Sequence, residues 1–213
     1  MDRKAFVSTS TSSIVSLAAA NILTSLNATD LLTEYDEEEK GRFYSHKVDF
    51  YGDVTPASCL NLIRILKEIQ QSDESMNVDH PQIDLHVQSF GGDLMSALFV
   101  LDYLDTIPIL PDTYVDGYAC SAASLISCYG GTRYMTKRSC LLLHDIRLDM
   151  KGETTYNQLM SQSHHMNFIM DHVVKVYSSR SHLSETDVMS LLHQESWLNA
   201  QECLDIGLVD KII

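Results

Sequence analysis

From residue 47 onward, apolar and polar positions follow two alternating periods. Val48, Asp49, Phe50 and Tyr51 read as a short strand that Gly52 and Asp53 end. Residues 56–71 place Leu60, Leu62, Ile63, Ile65, Leu66 and Ile69 at helical spacing, with Pro56 suited to the first turn. Residues 83–87 alternate as a strand, and Phe90-Gly91-Gly92 breaks it. Residues 94–104 return to the helical period. Residues 113–115 read as a strand, 119–128 as a small-residue helix, and 134–135 and 141–143 as strands. A long helix is expected from about 154 to 180 and a shorter one over 184–193. Strand and helix taking turns in this way predict an α/β fold with parallel strands and right-handed crossovers.

The first forty residues are less regular. Arg3 and Lys4 precede a Ser/Thr run over 8–13, and an apolar stretch over 14–20 is interrupted by Ser16. After Asp2 no acid occurs until Asp30. A secretory signal has a cleaner apolar run, whereas a hydroxyl-rich, acid-poor leader has the character of an organelle transit peptide. The expectation is a mobile or propeptide-like arm, helical in part over 14–26. Glu34-Tyr35-Asp36-Glu37-Glu38-Glu39 then reads as a solvated link. The chain divides accordingly into an arm over 1–41 and a domain over 42–213.

Composition narrows the function. Of 213 residues, 29 are Asp or Glu and 15 are Lys or Arg, for a formal charge of −14. That sign opposes a general nucleic-acid binder or an anionic-membrane binder. No apolar run reaches the eighteen or so residues of a membrane span. The five cysteines form an odd set with no C-x-x-C pair. They read as reduced, buried thiols in a cytoplasmic compartment, and neither a disulfide framework nor a zinc site is expected. An organelle matrix or plastid stroma is the alternative location, if the leader is a transit peptide.

Three segments carry candidate chemistry. Gln88-Ser89-Phe90-Gly91-Gly92-Asp93 turns a strand into a helix through paired glycines, which lets backbone N–H groups approach a ligand. Gly117-Tyr118-Ala119-Cys120-Ser121-Ala122 is a second strand-to-helix turn, crowded with small residues around a serine. It is not G-x-S-x-G, so it is not an α/β-hydrolase elbow. Leu141-Leu142-Leu143-His144 sets a histidine at the end of an apolar strand, where open α/β sheets place ligands. Singly, these also read as a tight turn, a helix cap and a structural histidine.

Taken in order, they resemble the Clp protease proteolytic subunit family. The family has a Ser-Pro-Gly-Gly turn, a Gly-Gln-Ala-Ala-Ser turn and a strand ending in His. Phe50-Tyr51-Gly52 is similar to its opening strand. Trp197-Leu198-Asn199-Ala200-Gln201-Glu202-Cys203, continuing to Gly207-Leu208-Val209-Asp210, is similar to its C-terminal ending. The resemblance covers about residues 42 to 213. It implies a spiral of βαβ units of the Clp protease and crotonase kind, with parallel sheets and a protruding handle helix at about 154–180.

The resemblance further implies a serine endopeptidase for peptides and unfolded proteins, with Ser121 as nucleophile and His144 as general base. The N–H groups of Gly92 and Ala122 would form the oxyanion hole. The family's triad Asp falls here at Glu195; Asp187 and Asp145 are the alternatives, and the acid could also be absent. Phe90 replaces the family's Pro, Tyr118 its Gln, Ala122 the Met after the serine, and Asp145-Ile146 its Gln-Pro. These departures mark a divergent member.

Partners follow from the same resemblance. The long helix carries apolar residues on more than one face, among them Tyr156, Leu159, Met160, Phe168, Val173 and Tyr177. The family uses this helix to join heptameric rings back to back into a tetradecamer. The chain has no G-x-x-x-x-G-K-S/T loop, so a separate AAA+ unfoldase chain would use the ATP, and no cofactor or metal is expected. His165 and His172 share a helix face but lack the i,i+4 spacing of a metal site. They offer instead a pH-sensitive ring contact. The competing functions are a weakly active ring component that complements an active paralogue, a crotonase-type acyl-CoA enzyme, and a Ser-Lys peptidase using Lys137.

Overall fold

A computed structural model describes residues 33–38, 43–76, 78, 80–147 and 152–213. The helix expected over 14–26 lies outside them. The apolar period over 56–71 becomes helix α1 (Pro56–Met76), which continues five residues farther than expected. Its Leu62, Ile63, Ile65, Leu66 and Ile69 are buried against Ile83, Leu85 and Val87 of strand β3 (His80–Ser89) and against Val100, Leu101 and Leu104 of α2 (Leu94–Leu104). Asp93 caps α2 by accepting from the Ser96 N–H at 2.7 Å.

The sheet runs in the order β1-β2-β3-β4-β5-β8. Strand β1 (Thr33–Glu38) pairs antiparallel with β2 (Phe43–Tyr51). The acidic stretch read as a solvated link is therefore mostly strand, and the sheet begins before residue 42. Strands β2, β3, β4 (Asp112–Cys120), β5 (Arg133–Met135) and β8 (Lys211–Ile212) are parallel to their neighbours. On the side away from β3, strand β4 serves two partners. Thr113–Val115 pairs with β5, whereas Tyr118–Cys120 pairs with β6 (Cys140–Leu143). Antiparallel β7 (Ser196–Asn199) borders β6. This branching turns the sheet into a spiral and confirms the expected α/β class.

One face of the sheet carries α1, α2 and α3 (Ala122–Cys128). The opposite face presents half-exposed Asp84, His86 and Gln88 on β3 and Tyr114, Asp116 and Tyr118 on β4. There, Asp116 accepts hydrogen bonds from Tyr51 and His86, both at 2.7 Å. The His86 ring stacks on Tyr114 at 4.6 Å, and Tyr114 on Tyr134 at 4.5 Å. Helix α4 (Tyr156–Ser179) buries only Ile169, Val173, Val174 and Tyr177, all in its second half. Its Tyr156, Leu159, Met160 and Phe168 are exposed. Helix α5 (Glu185–His193) packs beside it, and α6 (Ala200–Asp205) follows β7.

Two contacts hold the spiral together. At the turn after β3, Val54 N–H donates to Gly91 O at 2.9 Å and Asp93 N–H to Val54 O at 2.8 Å. Gly92 sits between these bonds at φ +147°, and a Cβ there would lie 2.2 Å from the Val54 carbonyl oxygen. At the far edge, Arg133 donates to Asp210 through Nε at 2.9 Å and Nη2 at 2.6 Å. The same guanidinium reaches the Arg180 carbonyl at the end of α4.

Both contacts make predictions. The clash at Gly92 is with backbone, which has no flexible end to give way, so Gly92→Ala lowers the urea-unfolding free energy by at least about 2 kcal/mol. The Arg133 hydrogen bonds hold the Asp210 carboxyl below its ordinary value. A depressed folded pKa contributes stability above the unfolded value near 4, and that contribution is lost as pH falls through the folded value. The stability gap between the native chain and Asp210→Asn, read by urea melts, is therefore constant above about pH 5 and shrinks as pH falls below about 4.

Candidate active site

Three parallel strands end at one edge, and their ends bring the site together. Ser89 of β3 pairs with Ala119 of β4, and Cys120 of β4 pairs with Leu142 of β6. The residues just beyond are Gly91, Ser121 and His144. The Ser121 N–H donates to Leu142 O at 2.8 Å, which ties the serine turn to the histidine strand. Ala119 and Cys120, expected to open a helix, instead finish β4, and α3 starts only after Ser121. The break falls there because Ser121 adopts φ 55°, ψ −129°, which is neither strand nor right-handed helix. A serine held at positive φ is strained backbone, and surrounding contacts must maintain it.

Those contacts are visible. A Cβ on Gly91 would lie 2.6 Å from Cys120 O and 2.7 Å from the Ser121 Cβ, so the two turns touch through bare backbone. Beneath them, Ser124 Oγ donates to Ser121 O at 2.6 Å. A carbonyl only accepts, so the Ser124 proton is committed to it. The Tyr177 hydroxyl of α4 must then donate to Ser124 Oγ, at 2.7 Å. Burial pushes the Tyr177 phenol far above its ordinary pKa, which keeps that donor protonated. Residue spacing gave no sign of this brace, because Tyr177 reads as one more position of an apolar stripe.

Ser121, Ala122, Gly92 and His144 line one cavity of about 540 Å³. The bonds flanking Gly92 use its neighbours' N–H groups. Among the described residues, neither Gly92 N–H nor Ala122 N–H donates to another protein group. No hydrogen bond joins Ser121 Oγ to the His144 ring. His144 Nδ1 instead faces the main-chain oxygen of Asp145 at 2.5 Å. Since that oxygen only accepts, Nδ1 is the donor, and in the neutral ring Nε2 is the nitrogen left with a lone pair.

Glu195 is not brought to this group. It sits just past α5 at φ 49°, and its two carboxylate oxygens each lie 3.2 Å from Arg147 Nη2. Arg147, which the sequence reading did not single out, lines the cavity and pairs with Glu195 outside it. Of the alternatives, Asp187 accepts from Ser184 at α5's first turn. The Asp145 carboxylate lies 3.7 Å from His193. Thus Ser121, His144, Gly92 and Ala122 come together, and no carboxylate hydrogen-bonds His144 among the described residues.

The sequence matches the family model for Clp protease over residues 46–213. It is 28% identical over 131 residues to the ATP-dependent Clp protease proteolytic subunit 1 of Protochlamydia amoebophila, covering 60% of this chain and 63% of that protein. It is 26% identical over 133 residues to the ATP-dependent Clp protease proteolytic subunit of Streptococcus pneumoniae (strain Hungary19A-6), covering 62% of this chain and 68% of that protein. The matched span is thus just under two thirds of the first relative's length. With the spiral sheet and the family match over most of its length, the chain belongs to the Clp protease family.

Proposed function

We propose that the chain is a serine endopeptidase subunit in which Ser121 attacks the peptide carbonyl and His144 is the general base. The observation that carries this reading is that Ser121, His144 and the undonated N–H of Gly92 share one cavity. Nε2 of His144 takes the Ser121 proton during attack and returns it to the leaving amine; water then hydrolyses the acyl-enzyme. The N–H groups of Gly92 and Ala122 receive the developing oxyanion, each worth about 3 kcal/mol in the transition state. The Asp145 carbonyl holds the imidazole in the required tautomer. It supplies a dipole rather than a full charge, so it stabilises the imidazolium less than a triad carboxylate does.

A ring assembly fed by a separate ATPase chain is part of the same proposal. Parallel sheets are normally covered on both faces, and this one leaves a face of half-exposed Tyr, His and Asp side chains. The first half of α4, with Tyr156, Leu159 and Met160, is open as well. Both are surfaces that neighbouring subunits would cover. The relatives' names, which include "ATP-dependent", support the ATPase.

One observation favours a second reading, a weakly active ring component. Glu195 pairs with Arg147 and not with His144. Labelling with a fluorophosphonate probe separates the two. The peptidase reading expects labelling of Ser121 that Ser121→Ala abolishes and that His144→Ala slows by about a thousandfold or more. A folded assembly that takes no label would establish the second reading. Glu195→Ala tests the acid directly. With the Asp145 carbonyl as the orienting group, the labelling rate stays within about threefold. A fall approaching ten-thousandfold would make Glu195 the triad acid.

A further inference from the structure

At the wall of the cavity that Phe90 forms stands an aromatic pair that the proposed chemistry does not use. Phe90 opens the turn after β3 and lines the cavity, two residues before Gly92. Tyr118 lies on β4, three residues before Ser121. Their rings stack at 4.2 Å between centroids and 25° between planes. Tyr118 is half-buried, whereas Phe90 remains 67% exposed. One face of the Phe90 ring is taken by Tyr118, and the outward part is open toward the cavity.

The stack is anchored at both ends. Ser89, just before Phe90, is buried, and its Oγ accepts from Gly91 N–H at 3.0 Å. Ala119, just after Tyr118, is buried and pairs with Ser89. The backbone positions of both residues are thus fixed to strand ends that also carry Gly92 and Ser121, and the stack orients the two rings on them. Phe90 contributes little to the core, so its exposed ring is not explained by packing. Leu94, Met95, Met166 and Ile169 continue an apolar wall from Phe90 around the cavity. Aromatic rings favour offset stacking on another ring over contact with an aliphatic chain of similar area.

We propose that Phe90, held by Tyr118, is a specificity-determining subsite that receives an aromatic side chain of the bound peptide. The proposal rests on the peptide-cleaving reading of the Ser121 cavity. The substrate ring extends the Phe90–Tyr118 stack while the peptide backbone crosses Ser121. Phe90 is a binding residue and takes no part in proton transfer.

Binding, rather than turnover, provides the test. In the Ser121→Ala chain, fluorescence anisotropy measures the affinity of labelled Gly/Ser/Gln peptides that differ only in one central residue: Phe, Trp or Leu. The expected result is binding of the Phe and Trp peptides about fivefold tighter than the Leu peptide. Adding Phe90→Leu or Phe90→Ala brings that ratio below about twofold. Tyr118→Leu, which removes the support from the other side, lowers it too. Melting curves identify which variants are folded. An unchanged ratio in a folded Phe90 variant, or no aromatic preference in the Ser121→Ala chain, overturns the subsite. Fluorophosphonate labelling of the native chain reports separately on the peptidase reading. A Phe90-dependent ratio without labelling removes the peptidase and leaves the subsite standing. Labelling with a Phe90-independent ratio does the reverse.

Discussion

The site depends on one close approach, that of the Gly91 backbone to the turn of Ser121. The Cβ that Gly91 lacks would collide with both the Cys120 carbonyl and the Ser121 side chain. Backbone can come this near to backbone only where a residue has no side chain. The contact fixes the end of β3 against the end of β4, and the Leu142 carbonyl fixes β4 against β6. Parallel strands point the same way, so three strand ends held together become one edge. Gly92, Ser121 and His144 are then neighbours although long stretches of chain separate them. The strained φ of Ser121 follows from the same crowding, and the Tyr177–Ser124 brace beneath maintains it.

A site built from strand ends sets some groups more firmly than others. Gly92, Ser121 and His144 belong to the sheet or follow it directly. Glu195 follows a helix, at a positive φ that turns its side chain toward Arg147. An exposed ion pair of this kind contributes between about 0 and 1 kcal/mol. The tilt of Glu195 toward Arg147 is therefore shallow compared with the backbone contacts that hold Ser121. On the peptidase reading, His144 as the base has an orienting partner in the Asp145 carbonyl that needs no such choice. Its weakness is electrostatic, since a dipole near a cation stabilises it less than an anion does.

Most of the fold was legible in the sequence because its helices bury one clear stripe and its strands alternate. The long helices were found to within a few residues. Strand ends were not, since β4 continues through Ala119 and Cys120, small residues that suit helix and strand alike. The acidic stretch Glu34–Glu38 lies in β1, where pairing with β2 outweighs a composition suited to solvent. Ser121, His144, Gly92 and Ala122 fall around one cavity because motifs in order locate strand ends. The position of Glu195 could not, because counting residues fixes a place in the chain and not a side-chain direction. Arg147 left no periodic trace, and its role exists only through what it faces.

The surfaces left open around this edge bear on assembly. At −14 per chain, bringing copies together works against repulsion. That repulsion is screened beyond about 8 Å at physiological salt, whereas apolar contact acts at the surface itself. Burying one large apolar side chain is worth about 1.5–3 kcal/mol, and α4 alone exposes Tyr156, Leu159, Met160 and Phe168. A few such residues outweigh screened charge at an interface if acidic groups are kept from facing one another. On the ring reading, then, short-range apolar contact drives assembly and the net charge acts mainly on what enters. A chamber of many such chains would draw neutral or basic peptides more readily than acidic ones.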